Sequence, residues 1–120
     1  MKISDREWTV LDVLWKTGGA DLGTLVSNLY AGTGWNRNTV LTYLTRMEAK
    51  GLVRIGKETV PHLYYAIPDR ETCREKESQS FLNRFYSGSA GDLVTAFLKK
   101  ETLSKEERDR LRKLLDEMEV

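Results

Sequence analysis

Apolar positions along the chain fall into helical periods, then short strand-like runs, then helical periods again. Ile3-Ser4-Asp5-Arg6-Glu7-Trp8 puts serine at a candidate N-cap, glutamate three residues later and apolar residues on either side, a capping box with a hydrophobic staple. The helix it opens carries Trp8, Leu11, Leu14 and Trp15 on one face and stops at Gly18-Gly19. A second helix is expected from about Asp21 to Tyr30, with Leu22, Leu25, Val26 and Leu29 on its apolar face, broken by the glycine-rich Ala31-Gly32-Thr33-Gly34. Asn36 is the natural N-cap of a third helix, whose stripe of Val40, Tyr43, Leu44 and Met47 ends at Lys50-Gly51. On its opposite face lie Asn38, Thr42, Thr45 and Ala49, all short and three of them polar.

Leu52-Val53-Arg54-Ile55 and Leu63-Tyr64-Tyr65-Ala66-Ile67 have strand composition, with a polar turn from Gly56 to His62 between them. Two strands alone are marginally stable, so this hairpin must lean on the helices. Pro68 ends the second strand and Asp69 can cap a new helix. That helix begins polar and ends in Phe81, Leu82, Phe85 and Tyr86. A turn at Ser87-Gly88-Ser89 leads to a short helix with Leu93, Val94, Phe97 and Leu98, and Ser104-Lys105-Glu106-Glu107 is a second capping box ahead of Leu111, Leu114, Leu115 and Met118. The expected fold is mainly α with a small β-hairpin: an N-terminal winged helix-turn-helix over residues 1–68 and a C-terminal three-helix segment over 69–120. The latter is too small to bury its own aromatics, and a second copy packed about a two-fold axis is the simplest cover. Phe81, Leu82, Phe85, Tyr86, Leu93, Val94, Phe97, Leu111, Leu114 and Leu115 are the candidate dimerisation residues.

Composition narrows the function. A chain of 120 residues has no room for a large multi-site enzyme. A net charge of +1 does not by itself argue for nucleic acid, although residues 1–68 carry eight Lys/Arg against six Asp/Glu, and residues 69–120 carry eleven against twelve. No apolar run approaches a bilayer span and no secretory core follows Met1, so a cytoplasmic location without direct membrane binding is expected. His62 and Cys73 are the sole histidine and cysteine, too few for a His/Cys metal cluster or the usual nucleophile-base pairs. No cofactor is expected. Cys73 reads as a small buried apolar residue, His62 as a surface residue of the wing, and Trp35 as a packing residue.

A helix-turn-helix of this form can lay its third helix in the major groove. Asn38 suits adenine; Thr42 and Thr45 suit either base or a thymine methyl; Arg37 and Arg46 suit phosphates, as do Arg54 and Lys57 on the wing, where Glu58 opposes them. A polar helix face is also what plain solvation produces, and winged helices also serve as protein-interaction modules.

Taken in order, several features make the chain resemble the penicillinase repressor family: Ile3-Ser4, Glu7-Trp8, Trp15, Trp35 ahead of a reading helix containing Thr39, Arg46, Lys50-Gly51, Tyr64-Tyr65, Phe81 to Gly88, Leu93-Val94, Phe97 and Leu103-Ser104. The resemblance covers nearly the whole chain. It implies a homodimeric repressor on palindromic double-stranded DNA operators of resistance genes; Arg37, Asn38, Thr39, Thr42, Thr45, Arg46, Arg54 and Lys57 are the candidate DNA contacts. It also implies relief through a β-lactam-triggered membrane sensor metalloprotease pathway that cuts the dimerisation domain. Two departures stand out. Well-known members have Ser-Pro-Lys-Thr where this chain has Asn36-Arg37-Asn38-Thr39, and the bond matching their Asn-Phe cleavage site is Ala96–Phe97. The family's copper-responsive branch carries a C-terminal cysteine cluster that this chain lacks, and a repressor answering a signal other than β-lactam is the alternative within the family.

Overall fold

A computed structural model describes residues 2–100 and 102–118. Helices α1 (Asp5–Thr17), α2 (Leu22–Thr33) and α3 (Arg37–Ala49) precede strands β1 (Val53–Gly56) and β2 (Leu63–Ala66), and α4 (Arg70–Tyr86), α5 (Ala90–Lys100) and α6 (Lys105–Glu117) follow. The chain divides into two compact units, residues 1–73 and 74–120, so the division falls within the first turns of α4, where Cys73 is still buried.

Local chemistry accounts for the helix starts. The Ser4 hydroxyl accepts from the Glu7 amide while the Glu7 carboxylate accepts from the Ser4 amide. Asp21 accepts from the Thr24 amide at 2.7 Å, and Asn36 from the Thr39 amide at 2.9 Å. Ser104 and Glu107 repeat the reciprocal box ahead of α6. The bond from the Thr24 amide holds the Asp21 carboxyl below its ordinary range, and that from the Ser104 amide does the same for Glu107.

Helix α2 corrects the expected end near Tyr30. It runs on through Ala31 and Gly32 to Thr33 and stops only at Gly34, which takes the left-handed conformation at φ 69°. Gly32 keeps helical backbone, and the Thr33 hydroxyl donates to the Leu29 carbonyl, so the last turn is tied. Strand β1 also begins and ends one residue later than its composition suggested, pairing Val53 with Ala66 and Gly56 with Leu63 in an antiparallel hairpin. Ala20 forms an isolated bridge with Tyr64, its amide donating to the Tyr64 carbonyl at 3.0 Å and its carbonyl accepting in return, so the α1–α2 turn edges the wing.

Leu11 and Leu14 of α1, Leu25 and Leu29 of α2, Val40, Leu44 and Met47 of α3, Val53 of β1 and Tyr64 of β2 form one core within residues 1–73. The Trp15 indole N–H donates to the Pro68 carbonyl at 3.0 Å and fastens the end of the hairpin to α1. In the second unit no described residue is fully buried. Phe81, Phe85, Val94, Phe97, Leu114 and Leu115 are exposed, and Leu82, Tyr86, Leu93 and Leu111 are half-buried. Among the described residues no helix is long and apolar enough to cross a membrane.

Candidate nucleic-acid interface

Helix α3 buries Val40, Leu44 and Met47 and turns Arg37, Asn38, Thr42, Thr45, Arg46 and Ala49 to solvent; Thr39 is half-buried beside the Asn36 cap. Leu41, absent from the expected polar face, is exposed with them. The Thr42 hydroxyl donates to the Asn38 carbonyl and the Thr45 hydroxyl to the Leu41 carbonyl, both at 2.9 Å. Arg37 and Arg46 lie at the two borders of this face, as successive steps of about 100° require.

The seating of α3 depends on residues whose part is not visible in the helix itself. Trp35 stacks on Tyr43 with ring centroids 4.8 Å apart, and Arg6 of α1 donates to the Tyr43 hydroxyl at 3.1 Å. At the other end of α3, Lys50 donates to both carboxylate oxygens of Glu7, at 2.8 and 2.9 Å. Glu7 is only 7% exposed. Burial is the largest influence on its carboxyl and pushes the pKa up, but the hydrogen bonds from Lys50 and Ser4 together outweigh it and hold the group below its ordinary value. One side chain therefore caps α1 and grips the end of α3.

On the wing, the Arg54 guanidinium lies 4.3 Å from the centre of the Tyr65 ring, which aligns it along the hairpin, and Lys57 is exposed beyond it. Pro61 and His62 of the hairpin meet Arg37 and the start of α2 around an open cleft of about 410 Å³. The structure thus gathers Arg37 and the wing on one side of the first unit. The candidate dimerisation residues and the Ala96–Phe97 bond all lie in the second unit, that bond inside α5.

Three helices, a hairpin and an outward third helix bordered by arginines define a winged helix-turn-helix. The chain belongs to the penicillinase repressor family, whose profile matches residues 3–117; it is a DNA-binding transcriptional repressor and not an enzyme. It is 34% identical to the penicillinase repressor of Bacillus licheniformis, over 97% of this chain and 91% of that one. It is 30% identical to the methicillin resistance regulatory protein MecI of Staphylococcus aureus strain N315, over 96% and 94% respectively. The solution structure of the DNA-binding domain of the repressor BlaI superposes with a TM-score of 0.52 at 29% identity, covering 57% of this chain and 84% of that domain.

Proposed function

We propose that two copies join through residues 69–120 and place two α3 helices in successive major grooves, roughly 34 Å apart, on a two-fold operator of antibiotic-resistance genes. The observation that carries the DNA half of this is the outward face of α3, with short side chains at its centre and a guanidinium on either border. Short groups let the helix approach base edges, and the guanidinium groups match the phosphates flanking the groove. The dimer half is supported by the second unit, where Phe81, Phe85, Phe97, Leu114 and Leu115 stand 44–61% exposed in one copy. Relatives named as a penicillinase repressor and a methicillin resistance regulator support the choice of regulated genes.

A gel shift on the DNA upstream of the chain's own coding sequence, repeated across salt concentrations, tests the assignment. Specific retardation should weaken as salt rises, because phosphate contacts release counterions. Asn38 is exposed on the outward face, and Asn38→Ala should cost about 1–3 kcal/mol of specific affinity if its amide pairs with adenine. Retardation no stronger than on scrambled DNA would remove the operator assignment and favour a protein partner for the same face.

Relief of repression by cutting at Ala96–Phe97 is part of the same proposal. The bond sits in the middle of α5, so a protease needs that helix to open locally first. A helix with no buried residue has little packing to oppose such opening. Mass spectrometry of the chain from cells exposed to a β-lactam should show a fragment ending at Ala96. An intact chain during full derepression would point to a different trigger.

A further inference from the structure

The face that α3 presents carries one large exposed apolar side chain, Leu41. At about 100° per residue, Arg37 and Arg46 edge one continuous arc with Asn38 and Thr45 at its middle; Leu41 lies between Thr45 and the Arg37 edge, with the exposed Glu48 beside it. Leu41 is 39% exposed, while the core side of the helix is already filled by Val40, Leu44 and Met47 at 0%. The core of this unit is therefore complete without the outer part of this side chain. Thr45, one turn further on, and Thr42, across the same face, have spent their hydroxyl protons on the Leu41 and Asn38 carbonyls. What they retain for a partner is a methyl group and oxygen lone pairs.

An occupant matched to this face is apolar opposite Leu41 and anionic opposite the two arginines. The major groove of DNA fits this description where thymine presents its C5-methyl between two phosphate rails. We propose that Leu41, one turn before Thr45, covers a thymine methyl and so acts as a specificity-determining residue of the operator contact. This rests on the DNA-binding assignment above and adds a named base feature to it. Asn38 supplies the directional hydrogen bond; Leu41 supplies discrimination of thymine from a pyrimidine lacking the methyl.

The test uses the full chain and the whole upstream fragment, so the operator need not be mapped first. The fragment is amplified once with thymidine triphosphate and once with deoxyuridine triphosphate, which removes every C5-methyl and preserves the Watson–Crick edges. Wild-type protein should bind the uracil fragment at least about fourfold more weakly, the loss expected for one methyl-sized apolar burial. Leu41→Ala should bind the thymine fragment more weakly by a similar factor and lose most of the thymine preference. Leu41→Gln, which keeps the length of the side chain without its apolar end, should behave the same way. Thermal unfolding midpoints of both variants should match wild type. Equal wild-type affinity for the two fragments, or an undiminished thymine preference in a folded Leu41 variant, would overturn the assignment. Failure of wild type to prefer the thymine fragment over scrambled DNA would instead sink the operator assignment itself.

Discussion

Phe85→Glu should turn the protein into a monomer at micromolar concentration and weaken operator binding by a factor of about 100 or more. Phe85 is 59% exposed in the single chain, and its ring lies 4.9 Å from that of Phe81 on the same helix. A carboxylate placed in a buried apolar contact costs several kcal/mol when it has no partner. The loss on DNA follows from linkage: with two modules joined, the second meets its half-site at an effective concentration worth about 10²–10⁴ in avidity. No DNA contact is touched. Sedimentation equilibrium and a gel shift on the same preparation read both effects. A Phe85→Glu protein that remained dimeric with undiminished affinity would place the interface elsewhere.

The second large effect concerns stability. Glu7→Ala should lower the unfolding free energy by about 2 kcal/mol, through loss of the reciprocal cap and of the Lys50 pair. Lys50→Met should cost more, about 3 kcal/mol, because the two partners are unequally wet: the Lys50 side chain is 37% exposed and that of Glu7 only 9%. Stranding the carboxylate is the harsher change. The pH dependence has a definite sign. The carboxyl titrates lower in the folded protein than in the unfolded chain, so its contribution is complete above the unfolded value near 4.5 and is lost as pH falls through the folded value. Urea midpoints of wild type should therefore drop between pH 6 and pH 3 more than those of Glu7→Ala, and equal drops would show that this carboxyl is not the sensitive group.

Interactions confined to one helical turn were legible in the sequence, and interactions between distant segments were not. Ser4, Asn36 and Ser104 could be assigned as caps because a cap joins neighbours along the chain. Gly32 shows where local rules mislead. A glycine stops a helix when it takes the left-handed conformation, and Gly34 does so, leaving Gly32 an ordinary helical residue. Glu7 was recognisable only as half of a capping box, since its partner Lys50 lies 43 residues away. The same limit hid the grip of Arg6 on Tyr43 and the bridge between Ala20 and Tyr64. Leu41 escaped for a different reason. Apolar periodicity assigns leucines to a core, and only the filled core face of α3 reveals that this one is surplus to it. In the second half, the apolar clusters announced a need for burial, and Phe85 and Leu115 stay exposed in the folded unit.

The internal bonds of Thr42 and Thr45 also bear on the entropy of recognition. A β-branched side chain has few rotamers in a helix, and a hydroxyl tied to the preceding turn has fewer still. In the operator contact proposed above these groups meet DNA already ordered, so little rotamer freedom remains to be lost on binding. Specific association should consequently show a negative heat-capacity change from covered methyl groups, with a smaller ordering penalty than a reading face of long lysines and arginines would incur.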